Sequence, residues 1–118
     1  MLTASGLSLL FFACGQKPAA APETVSAVSG EAVYMEHCAT CHMADGHGVP
    51  DMQPGLVGSP IVSGDPAMLI AVIRSGSAAL RGQPNAFQNE MPPFGLLSEE
   101  EVRAVADYIR ERFGGTDR

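Results

Sequence analysis

An all-α fold, three helices joined by glycine- and proline-rich connections, is what this sequence predicts, and three observations carry that reading. Helix-capping residues recur at Ser29, Asp65 and Ser98. Apolar residues following the second and third of them repeat at spacings of three and four. No stretch shows the apolar–polar alternation of a half-buried strand. The chain has 118 residues, enough for one domain whose core lies near the size at which a compact fold is only marginally stable alone. Tryptophan is absent and aromatic residues make up 6% of the chain, so no large aromatic core is available to compensate.

The first helix starts at Ser29 as N-cap and runs into a turn at Cys38. Gly30, Tyr34, Cys38 and Cys41 fall four, four and three residues apart, which puts them on one helical face. Ala44 to Pro60 carries repeated Gly and Pro and reads as a loop. The second helix is signalled by Asp65 as N-cap, Pro66 in the first helical position, apolar Leu69, Ile70 and Ile73, and Gly76 as terminator. Ser77 to Gly95 reads as irregular again. The last helix has the clearest start. Ser98 caps it, Glu101 completes a capping box, and Leu97 with Val102 supplies a hydrophobic staple. Val102, Val105, Ala106, Ile109 and Phe113 form its apolar stripe. Glu99, Glu100 and Glu101 crowd its N-terminus while Arg110 and Arg112 lie near its C-terminus, matching the macrodipole; these charges read as a solvated face.

Ahead of the domain, Leu7 to Ala13 is an apolar run too short to span a bilayer, and it ends at Cys14 between the small residues Ala13 and Gly15. The arrangement resembles a bacterial lipobox. It implies a signal peptide over residues 1–13, removed together with Met1, and a Cys14 that becomes the lipidated N-terminus; an ordinary signal peptide with Cys14 free or removed is the alternative. Phe11 and the absence of Lys or Arg in Met1 to Gly6 depart from the usual pattern. Residues 14–29, rich in Ala and Pro, read as a tether, and residues 30–118 as the folded domain. A net charge of −6 excludes nucleic acid as an expected partner.

The chemistry is concentrated in Cys38-Ala39-Thr40-Cys41-His42. Cys-x-x-Cys-His is the attachment signature for c-type haem: two thiols one helical turn apart each form a thioether with a vinyl group, and the adjacent imidazole reaches the iron. A thioredoxin-like redox pair would follow a strand, and none is expected before Cys38. A zinc site built from Cys38, Cys41 and two of His37, His42 and His47 would lack the separate second knuckle of zinc modules. With Cys14 placed at the terminus and Cys38 and Cys41 on haem, no pair is left for a structural disulfide. His37 and His47 read as solvent-facing polar residues. Export and haem attachment both point to the periplasm or another extracytoplasmic compartment.

These features together resemble the class I cytochrome c family over Gly30 to Phe113, on Gly30 and Tyr34, the Cys38–His42 motif, Pro54-Gly55-Leu56, and Met91-Pro92-Pro93-Phe94 before the last helix. The resemblance implies the cytochrome c fold, a small helical domain wrapped around one covalent haem c, with His42 and Met91 as the axial iron ligands. It implies that the Pro54 carbonyl accepts a hydrogen bond from His42, that Leu56 packs on the haem, and that Gly30 and Tyr34 meet the Val105/Tyr108/Ile109 region of the last helix. Of the other methionines, Met35 and Met43 adjoin the haem motif on its proximal side, and Met52 and Met68 read as packing or surface. Arg74 and Arg81 are candidate partners of the haem propionates, with surface arginines as the plain alternative.

The expected function is that of a carrier of single electrons between periplasmic or membrane-bound partners, a dehydrogenase on one side and another cytochrome or a terminal oxidase on the other, and not of an enzyme by itself. The spacing of Gly58-Ser59-Pro60, Gly64-Asp65-Pro66 and Leu97-Ser98-Glu99-Glu100 resembles cytochrome domains that accept electrons from quinoprotein or flavoprotein dehydrogenases. A gas- or peroxide-responsive haem protein with a labile sixth ligand is the alternative from another class.

Overall fold

The computed structural model describes residues 27–82, 87 and 89–115. The expected signal peptide, Cys14 and the expected tether as far as residue 26 lie outside them. In chain order the elements are α1 (Gly30–His37), α2 (Ala39–His42), α3 (Pro60–Ser63), α4 (Pro66–Ser75), a 3-10 helix (Gly76–Leu80) and α5 (Glu99–Phe113). Val49 and Gln53 form an isolated bridge, and no strand occurs among the described residues. None of the described helices is long and apolar enough to cross a membrane.

All three expected caps form. Ser29 Oγ accepts from the Ala32 amide at 3.2 Å, and Asp65 Oδ1 from the Ala67 amide at 2.9 Å behind Pro66. At α5 the box is reciprocal: Ser98 N–H donates to Glu101 Oε2 at 2.7 Å, and Glu101 N–H to Ser98 Oγ at 3.2 Å. Two short helical pieces carry no signal in the sequence: the 3-10 segment falls in the stretch expected to be irregular, and α3 starts at Pro60, the last residue of the expected loop, and runs into residues with no expected element. Each is only four or five residues long, too short for a periodic apolar pattern to show.

The core is the junction of α1, α4 and α5. Val102, Val105, Ile109 and Phe113 of α5 are buried with Val33 and Tyr34 of α1, Val62 of α3, and Leu69 and Ile73 of α4. α1 reaches α5 so closely at Gly30 that a Cβ there would run into the Ala104 carbonyl and the Tyr108 side chain. Tyr34 fills the next layer, its ring 5.4 Å from that of Tyr108 and 5.3 Å from that of Phe113. Its hydroxyl donates to the Met43 carbonyl at 2.7 Å, tying α1 to the loop after α2, and burial holds the phenol neutral far above its ordinary range.

One charged residue departs from the sequence expectation. Arg110 is not simply part of a solvated face: its Nη1 donates to the carbonyls of Val62 at 2.9 Å and Gly64 at 2.8 Å, closing the C-terminal end of α3 onto α5. Glu99 takes two other arginines, 3.6 Å from Arg74 and 3.9 Å from Arg103.

Candidate cofactor site

The helices border a cavity of about 800 Å³. One wall comes from the end of α1, α2 and the loop after it, the other from α4, the 3-10 helix and the segment before α5. Cys38, Cys41, His42, Pro54, Leu56 and Met91, the residues singled out in the sequence, all line it.

α2 fixes the first three. The amides of Cys41 and His42 both donate to the Cys38 carbonyl, at 3.1 and 2.9 Å, so one turn of helix carries both thiols and the imidazole. The thiols are free and unequal. Cys38 is buried, and burial, with a smaller contribution from neighbouring Cys41, pushes its pKa up to about 11; Cys41 is exposed. His42 is buried, with Nδ1 2.9 Å from the Pro54 carbonyl. A carbonyl can only accept, so Nδ1 carries the proton and Nε2 keeps its lone pair for a metal ion. The loop that brings Pro54 there is anchored to α2 by the Gly48 amide on the His42 carbonyl at 3.0 Å. Gly48, with φ of 67°, stands where a Cβ would collide with Gln53 and Pro54, so glycine lets that carbonyl reach the ring. Leu56 is held by its amide on the Gly46 carbonyl at 2.7 Å.

Met91 arrives from the opposite end of the sequence. Met35, Met43, Met52 and Met68 do not line the cavity, and Met35, Met52 and Met68 are exposed. Arg74 is turned to Glu99, whereas Arg81 is at the cavity and exposed. His47 is exposed beside Asp45, as expected. His37 differs: it is half-buried at the cavity wall, 6.1 Å from the Phe94 ring and edge-on to it.

The residues fit a haem. The volume lies within the roughly 300–1,000 Å³ of cofactor pockets, the walls are mostly apolar, two unpaired thiols sit at attachment spacing, and an imidazole is locked in the metal-binding tautomer. Fold and site together define a class I c-type cytochrome, with one haem c held covalently. Residues 25–109 match the family described as cytochrome C oxidase, cbb3-type, subunit III, and the chain belongs to it. It is 38% identical over 90 residues to the cytochrome c subunit of a quinone alcohol dehydrogenase from Gluconobacter oxydans (strain 621H), which covers 73% of this chain and 18% of that one. It is 34% identical over 91 residues to the cytochrome c subunit of a gluconate 2-dehydrogenase from Pantoea cypripedii, covering 73% and 20%. Subunit CcoP of a cbb3-type cytochrome c oxidase from Rhodobacter capsulatus is 33% identical over 95 residues, covering 79% and 31%. The chain thus spans well under half the length of the curated relatives it matches.

Sequence reasoning missed the residues that hold Met91. Ser77 Oγ accepts from the Met91 amide at 2.7 Å, and the Ser77 amide donates to the Met91 carbonyl at 3.0 Å. A serine in a segment without pattern sends no signal. Gly76 is legible as a helix terminator, but not as the residue that makes room for the Met91 and Pro92 backbone.

Proposed function

We propose that this domain relays single electrons through a haem c ligated by His42 and Met91, with Cys38 and Cys41 as its covalent anchors. The observation that carries the reading is that Met91, alone among the described methionines, lines the cavity shared by Cys38, Cys41 and His42. Haem c supplies the one-electron Fe(III)/Fe(II) couple. The protein's part is to set its potential, exclude water and limit reorganisation. His42, its Nδ1 proton on the Pro54 carbonyl, presents a more basic and rigidly oriented lone pair. The Met91 thioether favours the ferrous state and raises the potential. Pro92 and Pro93 stiffen the segment that presents it. Held by both His42 and Met91, the iron would offer a substrate no free position.

The relatives named as dehydrogenase and oxidase subunits support a donor of the dehydrogenase kind and an acceptor that is another cytochrome or a terminal oxidase. The domain works outside the cytoplasm, held to the membrane through lipidated Cys14.

Optical spectra of protein matured with haem test this. The ferric form is expected to show the weak sulfur-to-iron band at the red end of the spectrum, Met91→Ala to abolish it, and the ferrous wild type to ignore carbon monoxide. A missing band with ready carbon monoxide binding would replace the carrier with a ligand-responsive haem protein.

A further inference from the structure

Met91-Pro92-Pro93-Phe94 brings only two backbone N–H groups to the cavity wall, because its prolines have none. Both are committed to the C-terminal end of α4 and the turn after it: Met91 N–H to Ser77 Oγ at 2.7 Å, and Phe94 N–H to the Ile73 carbonyl at 3.1 Å. The Met91 carbonyl in turn accepts from the Ser77 amide at 3.0 Å. A single residue therefore grips the Met91 backbone on both its donor and its acceptor. Gly76 makes the grip possible. It has φ of 63°, and a Cβ there would strike the Met91 carbonyl oxygen and stand 2.7 Å from the Pro92 carbonyl carbon. The turn itself needs no hydroxyl, since its other members are glycine, two alanines and a leucine.

We propose that Ser77 is the positioning residue for the axial thioether, its hydroxyl fixing the Met91 backbone so that the sulfur holds its place against competing ligands. A methionine side chain has three rotatable bonds, so the freedom left in its backbone decides how much entropy is lost when the sulfur is bound. Ser77 removes that freedom beforehand. The inference rests on Met91 being an axial ligand, as proposed above.

The test is imidazole titration of the ferric holoprotein, followed by loss of the sulfur-to-iron band, in wild type, Ser77→Ala, Ser77→Thr and Ser63→Ala. Ser63 Oγ donates to the Ser59 carbonyl at 3.0 Å, and Ser63 is not part of the cavity lining. Ser77→Ala is expected to bind imidazole about two- to tenfold more tightly, the equivalent of one ordinary hydrogen bond. Ser77→Thr should restore the wild-type value, and Ser63→Ala should leave it unchanged. Should Ser77→Ala not mature, Ser77→Gly, which also removes the hydroxyl acceptor, carries the same expectation. Wild-type imidazole affinity in the matured variant would overturn the proposal. So would Ser77→Thr behaving like Ser77→Ala while both lower the melting temperature, because that pattern assigns the effect to packing. Met91→Ala separates the two readings: if it keeps the band and the wild-type titration, the ligand assignment itself fails. If it loses the band while Ser77→Ala remains wild-type, only the positioning role fails.

Discussion

Replacing Gly30 with alanine should damage this domain far more than one methyl group ordinarily would. The added Cβ would stand 2.8 Å from Tyr108 Cβ and 2.7 Å from the Ala104 carbonyl carbon, and nearer still to the Ala104 oxygen. Carbon atoms pack at about 3.5–4.0 Å, so α1 and α5 must separate by roughly 1 Å at their crossing. Ala104 contributes backbone, which no rotamer change can move aside. Gaps of that size forfeit about a quarter to a half of each contact's attraction, and the layer beside Gly30 holds the Tyr34, Tyr108 and Phe113 rings. Overpacking of this kind costs about 1–3 kcal/mol, while alanine's better helix propensity returns about 0.5–1 kcal/mol. A net loss of about 1–2 kcal/mol lowers the melting temperature of a domain this size by about 4–16 °C. Guanidinium unfolding of the holoprotein, followed by circular dichroism, should show a lower midpoint at unchanged slope. Gly95→Ala is the control, because a Cβ there meets nothing within 4 Å. A Gly30→Ala protein as stable as wild type would refute the close crossing of α1 and α5.

Two further outcomes follow from individual hydrogen bonds. Tyr34→Phe keeps the ring stack but takes from the Met43 carbonyl one of its two donors, the Gly46 amide remaining at 3.1 Å; stability should fall by about 0.5–1.5 kcal/mol, read from the same unfolding curves, with an unaltered visible spectrum. An unchanged midpoint would mean water replaces the phenol. Glu101 has its pKa lowered by the Ser98 amide and hydroxyl, so its capping contribution is fully present above its unfolded value near 4.5 and is lost as pH falls through the lower folded value. The stability gap between wild type and Glu101→Gln should therefore be widest near neutrality and shrink below pH ~4. A gap that grows on acidification would contradict the box.

Local chemistry was legible in the sequence because it is written locally. Ser29, Asp65 and Ser98 cap neighbours two or three residues away, and Cys38, Cys41 and His42 share one helical turn. That pattern and those spacings predicted the three main helices. α3 and the 3-10 helix escaped, being shorter than a readable period. Ser77 and Arg110 escaped for another reason: their partners lie 14 and 46–48 residues away, at positions known only once the chain has closed. The six expected site residues do line one cavity, yet what steadies Met91 is tertiary and carries no motif.

The unequal exposure of the two thiols bears on what the finished linkages meet. Both sulfurs border the cavity, so both are within reach of a haem seated there, but Cys38 is buried and Cys41 stands at the surface. The two thioether bonds would therefore sit in different surroundings, one inside the fold and one at the water's edge, and a reagent arriving from solvent meets the Cys41 side first.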